Sequence, residues 1–326
     1  MSAEEIPALV PWFRDNGATV YQGDALETLR LMLSESVNCC VTSPPYWGLR
    51  DYGVDGQMGL ERTPEEYVAA MVAVFREVRR VLRTDGTLWL NLGDSYAREG
   101  GSAGGGNALL HMDGISKRNC SPPDNLKPKD LVGIPWRLAF ALQDDGWYLR
   151  SDIIWHKPNP MPESVKDRPT KSHEYLFLLA KSADYYYDHE AIKEPVKCPE
   201  ANTPDDWARV YSRRRAVVPE VRQEKIAVES ADSRPSTRNA RTVWTIPTES
   251  YPDSHFATFP RALVRPCILA GCPEGGVVLD PFAGSGTTLE VARAHCRQSV
   301  GIELNPAYCE LIRQRLRQPN LFMVDL

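Results

Sequence analysis

A chain of 326 residues, 42% hydrophobic and 25% charged, has the make-up of a globular protein with one large or two modest domains, which excludes disorder throughout. Net charge is −5, too acidic for a general basic coat on nucleic acid, yet Arg209 to Arg241 carries nine Lys/Arg against four acids, so a polyanion finds a local docking segment. The eight cysteines include no C-x-x-C pair, against a zinc ribbon or a disulfide framework; the start MSAEEIPALVPWF is acidic where a secretory leader is basic, and no apolar run approaches the roughly 18 residues of a membrane span. A soluble cytoplasmic protein is expected, with no metal site.

In chain order, the first run is Val37 to Thr42, apolar, bounded by turn residues and too short for a helix, hence a buried strand. Thr63-Pro64-Glu65-Glu66 then opens a helix whose apolar face is Val68, Met71, Val72, Phe75, Val78 and Leu82. After an Asp85-Gly86 turn, Thr87 to Leu92 reads as a second strand, completing a βαβ unit. Glu99 to Asn107, with five glycines in nine residues, is expected to be a mobile loop. Asp130 to Gln143 reads as helix, and Trp147 to Trp155 and Glu174 to Ala180 as strands. Pro195 to Ser250 lacks apolar repeats and reads as an inserted subdomain or long structured loop. A second βαβ unit follows: strand Val277 to Asp280, a helix from about Thr287 to Cys296, strand Ser299 to Glu303 and a helix from about Pro306 to Arg317. The architecture predicted is α/β with a largely parallel sheet.

Two motifs carry chemistry. Asp280-Pro281-Phe282-Ala283-Gly284-Ser285-Gly286-Thr287-Thr288 links a strand to a helix, where glycines let backbone amides approach a ligand at the carboxyl edge of the sheet. It lacks G-x-G-x-x-G spacing and a following Gly-Lys-Ser/Thr, so dinucleotide and P-loop readings lose ground. One βα unit later Glu303 ends a strand, suited to ribose hydroxyls. The second motif, Thr42-Ser43-Pro44-Pro45-Tyr46, leaves the Ser43 hydroxyl and the Pro44 carbonyl as acceptors beside an aromatic ring, which is what an exocyclic amino group on a flipped, stacked base requires. Tyr46 is expected to use its face rather than its hydroxyl. Each motif alone has a bland alternative, a tight or rigid strand-end turn.

Taken together and in this order, TSPPY, HFATFP and DPFAGSGTT resemble the amino-group DNA methyltransferases of the permuted β arrangement, in which the target-amine motif precedes the cofactor motif and a recognition region lies between them. The resemblance spans nearly the whole chain. It implies a Rossmann-like S-adenosylmethionine-dependent methyltransferase fold with permuted motif order, its N-terminal part at 1–190, a target-recognition region at 191–250 and its C-terminal part at 251–326. It implies S-adenosyl-L-methionine as cofactor, held by Asp24, Thr258 and Phe259 within His255 to Pro260, Asp280, Phe282, Ala283, Gly284, Ser285, Gly286, Thr287 and Glu303. Ser43, Pro44, Pro45 and Tyr46 become the catalytic set, and Trp155-His156-Lys157-Pro158 and Arg168-Pro169-Thr170 fall near the flipped nucleotide. Double-stranded DNA is the implied substrate, contacted by Lys157 and Arg168; a homodimer and a cognate restriction endonuclease are further partners that the resemblance implies.

The basic segment between the two motifs adds DNA-contact candidates: Arg213, Arg214 and Arg215 for phosphates, and Arg222, Arg238 and Arg241 for guanine edges. In the family, Ser at the position of Ser43 goes with cytosine N4, whereas Asp or Asn goes with adenine N6. Cytosine N4 is therefore the expected target and adenine N6 the alternative; C5 methylation needs a cysteine nucleophile, and Pro266-Cys267 lies within an expected helix. A catalytically silent DNA-binding protein of the same fold, or a methyltransferase of RNA or protein, are the competing readings.

Overall fold

The computed structural model describes residues 9–15, 17–49, 51–97, 126–196, 237–250 and 257–317. Contacts divide the chain into two compact units, Met1–Asp188 with Arg241–Leu326, and His189–Ala240. The larger unit opens with β1 (Phe13–Asp15), β2 (Ala18–Gln22), α1 (Ala25–Leu31), β3 (Val37–Thr42), α2 (Pro64–Val81) and β4 (Leu82–Leu92). It continues with α3 (Ile134–Asp144), β5 (Tyr148–His156) and β6 (His173–Ala180). The described part of the smaller unit is a 3-10 turn (Glu190–Ile192) and an antiparallel pair, β7 (Glu194–Pro195) with β8 (Thr237–Arg238). The larger unit then resumes with β9 (Val243–Thr245), β10 (Glu249–Ser250), β11 (Ala257–Thr258) and α4 (Arg261–Gly271). It closes with β12 (Val277–Asp280), α5 (Thr287–Ala294), β13 (Gln298–Glu303) and α6 (Pro306–Arg317).

Nine strands form one sheet in the order β1-β2-β13-β12-β3-β4-β6-β5-β9. Its centre, β2 through β4, is parallel throughout, and β6 pairs antiparallel to β4. The C-terminal strands β12 and β13 therefore sit between the N-terminal strands β2 and β3. From β12 the chain moves on toward β13, and from β3 toward β4 on the other side, so the connections part at the carboxyl ends of β12 and β3. In an open parallel sheet that divergence leaves a crevice where ligands bind.

The apolar pattern accounts for the packing. Tyr67, Met71, Val74, Phe75 and Val78 form one stripe of α2 and are fully buried with Leu88 and Leu90 of β4 and Phe177 and Leu179 of β6. Thr63 caps α2, its hydroxyl accepting from the Glu66 N–H at 3.1 Å, with Pro64 in the first turn. Three expectations shift. The strand expected to start at Thr87 starts at Leu82: pairing jumps from Val37↔Leu82 to Cys39↔Thr87, and the Asp85-Gly86 turn is a bulge whose Arg83, Thr84 and Asp85 are exposed. The helix expected from Asp130 begins at Ile134, because the Asp94 carboxylate, 40 residues away, accepts from the Ile134 N–H at 3.0 Å and fixes the first turn there. And β9, within the stretch read as inserted, pairs in parallel with β5 as the edge of the main sheet. The glycine-rich run Glu99 to Asn107 lies outside the described residues. No described helix is long and apolar enough to cross a membrane.

Candidate functional site

At the carboxyl ends of β3 and β12 lies a cavity of about 300 Å³, lined by Ser43, Pro44, Pro45 and Tyr46 from one motif and by Asp280, Phe282, Ala283, Gly284, Ser285 and Thr287 from the other. The two strand ends are tied directly, Thr42 Oγ1 donating to Asp280 Oδ1 at 2.7 Å. The buried Tyr67 of α2 donates its hydroxyl to the Pro45 carbonyl at 2.9 Å and so fixes the double-proline turn, while the Pro44 carbonyl has no hydrogen-bond partner among the described residues. Gly93 follows β4 beneath the Tyr46 ring; a β-carbon there would stand 2.5 Å from the ring, so only glycine lets the tyrosine lie in this place.

The polar atoms around Ser43 form a connected set. Ser43 Oγ lies 3.2 Å from Asn91 Oδ1 and 3.3 Å from the Tyr46 hydroxyl. The Tyr46 hydroxyl is 2.8 Å from Glu174 Oε2 and 3.0 Å from Asn91 Oδ1, and Asn91 Nδ2 donates to the Tyr175 carbonyl at 3.1 Å. Lys157 Nζ pairs with Glu174 Oε1 and sits 4.2 Å above the Trp155 ring. Burial, and then the Glu174 charge, push the Tyr46 phenol well above its ordinary range, so its hydroxyl keeps its proton. The hydroxyl is thus engaged within the site, a part that the sequence reading did not give it.

The other wall is the loop between β12 and α5. Gly284 and Gly286 have φ of +51° and +82°. At Gly286 a β-carbon would meet Ile312 at 3.0 Å, whereas at Gly284 it would meet nothing nearer than 3.9 Å, so Gly286 serves close packing and Gly284 borders open cavity. The Gly284 N–H donates to Glu303 Oε2 and the Asn305 N–H to Glu303 Oε1, each at 2.8 Å. Burial raises Glu303 to about 7 against the pull of those donors, and burial raises Asp280 to about 6 against the Thr42 and Thr288 hydroxyls and the Phe282 N–H. Behind the loop, Arg315 of α6 is nearly fully buried: its Nη1 donates to the Ser285 carbonyl at 2.9 Å, Ser285 Oγ at 3.0 Å and Thr287 Oγ1 at 2.9 Å, and its Nε lies 2.7 Å from Glu290 Oε2.

Asp24, Phe259, Lys157 and Glu303 also line the cavity. Asp24 caps α1, one oxygen accepting from the Glu27 N–H at 2.9 Å. Thr258 is not among the lining residues; its backbone pairs with Glu249 where β11 joins β10. A nucleoside-bearing sulfonium fits this wall: backbone open to approach at Gly284, carboxylates at Asp24 and Glu303, and aromatic surfaces at Phe282 and Tyr308. Among the described residues no group of three or more His, Cys, Asp or Glu is placed to hold a metal. Arg168 is outside the cavity lining, its guanidinium 3.9 Å above the Tyr96 ring and 2.7 Å from Glu163. Arg238 pairs with Glu194 at 3.2 Å within the smaller unit, and Arg241 is exposed. Arg213, Arg214, Arg215 and Arg222 lie outside the described residues. Asn91, Gly93, Glu174 and Arg315 were not singled out by the sequence reading; a lone asparagine inside the apolar strand TLWLNL was the one visible signal among them.

The family model for DNA methylases of the N6/N4 type matches residues 37–314. The chain is 50% identical over 302 residues to the type II methyltransferase M.Cfr9I of Citrobacter freundii, covering 93% of this chain and 88% of that protein. It is also 50% identical over 299 residues to M.SmaI of Serratia marcescens, covering 90% and 89%. Among solved structures, the cytosine-N4-specific PvuII DNA methyltransferase matches with a TM-score of 0.62 at 19% identity, over 95% of this chain and 90% of that one, and so shares the fold. A model that spans both motifs, and identity of one residue in two with these relatives, make the chain a member of the DNA methylase family, the S-adenosylmethionine-dependent methyltransferases of exocyclic N6 and N4 amino groups.

Proposed function

We propose that the protein methylates the exocyclic N4 of cytosine in double-stranded DNA. The observation that carries this reading is that Ser43 and Tyr46 share one cavity with Asp280, Phe282, Gly284 and Glu303. S-adenosylmethionine supplies an electrophilic methyl group on a cationic sulfur, and Gly284, Glu303, Asp24 and Phe282 are the residues proposed to hold it. Ser43 Oγ and the Pro44 carbonyl accept the two N–H groups of the target amine, which favours a pyramidal nitrogen and frees its lone pair for in-line attack. Tyr46 offers its ring face to the extruded base, and Leu49, Met58 and Trp155 add apolar walls. The nitrogen becomes acidic only once alkylated, so its proton leaves late and no strong base is needed.

Cytosine over adenine is favoured by serine at position 43; of the solved structures that share the fold, one is described as cytosine-N4-specific. The segment 191–250, with Arg213, Arg214, Arg215, Arg222, Arg238 and Arg241, is proposed as the region that contacts DNA around the target, assisted by Lys157 and Arg168. Incubation of unmethylated DNA, RNA and protein with methyl-labelled cofactor, followed by digestion of the DNA to nucleosides and mass spectrometry, tests the reading. Label in N4-methyl-2′-deoxycytidine is expected. N6-methyl-2′-deoxyadenosine instead, or label confined to RNA or protein, overturns it.

A further inference from the structure

The target amine offers two hydrogens and needs two acceptors. A serine hydroxyl serves only if its own proton is turned elsewhere, since a hydroxyl pointing its hydrogen at an amino group repels it. What decides the direction of the Ser43 proton is the set of atoms behind it. Asn91 cannot rotate its amide freely, because Nδ2 is committed to the Tyr175 carbonyl; Oδ1 therefore faces both Ser43 Oγ at 3.2 Å and the Tyr46 hydroxyl at 3.0 Å. The two hydroxyls lie only 3.3 Å apart and approach that oxygen from one side, so they compete for the same lone pair. Tyr46 has a second acceptor at 2.8 Å, Glu174 Oε2, and a carboxylate is the stronger acceptor of the two. Glu174 is in turn held by Lys157, which can only donate, so the pair fixes the carboxylate with one oxygen toward the lysine and the other toward Tyr46.

We propose that Glu174 is a positioning residue that sets the direction of this hydrogen-bond set: it draws the Tyr46 proton to itself, leaves Asn91 Oδ1 for the Ser43 proton, and so turns the Ser43 lone pairs toward the target amine. The proposal rests on the reading of Ser43 as an amine acceptor. It explains why a partly buried tyrosine that meets the base with its face keeps its hydroxyl, and why an asparagine is buried near the end of an apolar strand.

Replacing Glu174 by Gln reverses the pattern. The amide oxygen must face Lys157, the amide nitrogen then donates to the Tyr46 oxygen, the Tyr46 proton turns to Asn91, and Ser43 is left to point its hydrogen at the amine. Removing the Tyr46 hydroxyl takes away the competitor for Asn91, so the Gln variant should then do little harm. The test is a double-mutant cycle on the full chain: single-turnover methyl transfer to unmethylated DNA at saturating S-adenosylmethionine for wild type, Glu174→Gln, Tyr46→Phe and the double variant, with cofactor affinity by calorimetry to confirm a folded cofactor site. Glu174→Gln should slow transfer by about 30-fold in the wild-type background and by less than about threefold in the Tyr46→Phe background, whatever Tyr46→Phe does alone. A Glu174→Gln effect of equal size in both backgrounds means that Glu174 acts through Lys157 or through the fold and overturns the proposal, as does a Glu174→Gln protein of normal rate. Ser43→Ala separates the two levels. If it transfers at the wild-type rate, the amine-acceptor reading itself fails; if it is slow while Glu174→Gln is normal, only the role of Glu174 fails.

Discussion

Gly284 and Gly286 stand two residues apart in one loop, both with positive φ, and answer to different demands. Asparagine tolerates the left-handed conformation better than other side chains, so the same substitution at each position separates space from strain. Gly284→Asn should leave the melting temperature within about 3 °C of wild type and weaken S-adenosylmethionine binding at least about tenfold, since its side chain enters the cavity. Gly286→Asn should instead destabilise the fold by about 1–3 kcal/mol, because its β-carbon meets Ile312. Thermal melts with parallel calorimetric titrations check both; unchanged affinity in Gly284→Asn removes that loop from the cofactor site. Glu303 adds a pH signature. Its folded-state value of about 7 lies above the 4.5 of a free glutamate, so the ligand-free fold binds the proton more tightly than the unfolded chain. That contribution to stability is complete below about pH 4.5 and is lost as pH rises through about 7. With Glu303 as the proposed acceptor of ribose hydroxyls, which donate to an ionised carboxylate, cofactor affinity should run the other way and fall as pH drops through about 7, with proton release on binding near pH 6. Calorimetry in buffers of different ionisation enthalpy reads this directly, and Glu303→Gln should abolish the dependence.

The helix α6 shows how an element far along the chain governs the loop. Arg315 reaches from its last turn to Ser285 and Thr287, while Glu290 of α5, paired also with Arg261 at 3.0 Å, holds the guanidinium from the other side. Lysine can keep the charge but not the fork that serves several acceptors at once. Arg315→Lys should therefore destabilise the protein by about 1–3 kcal/mol and raise the S-adenosylmethionine Kd severalfold at temperatures well below the melt, with kcat at saturating cofactor close to wild type. Denaturant unfolding and initial rates across cofactor concentrations test this; a fall in kcat with unchanged Kd counts against it. None of this was legible in the sequence, where Arg315 is one charged residue in an amphipathic helix. What was legible had a local cause: β3, β12, α2 and α6 follow from apolar runs and turn residues within a few positions, and the two motifs mark their strand ends. What was missed depends on partners distant in the chain. Asp94 sets the start of α3, Leu82 begins β4 because Val37 pairs with it, and Glu174 enters the site because β6 joins β4 in antiparallel register. Spacing within one segment carries no record of such partners.

For the molecule as a whole, charge separates a catalytic body from its proposed DNA-binding region. Arg213, Arg214 and Arg215 stand in the stretch with nine cations against four acids, in a chain of net charge −5. If they contact phosphates, replacing all three by Ala should weaken binding on target and non-target duplexes alike and flatten the slope of log affinity against log salt by about 2–3. Filter binding over a salt series reads both quantities, and an unaltered slope denies the segment that role. The order of strands has a consequence of its own. Thr42 and Asp280, which tie the floor of the cavity together, are 238 residues apart, and β2 and β3 become joined only through β13 and β12. During translation the N-terminal strands emerge with the centre of their sheet missing, and no partial polypeptide ending before β12 can close the crevice. Contacts this distant make folding slow and leave two strand edges bare while the ribosome finishes its work. A chain laid out in this order cannot close its cavity until β12 and β13 are made, and until then the Ser43 to Tyr46 turn stands without the Asp280 to Thr287 wall that faces it in the finished fold.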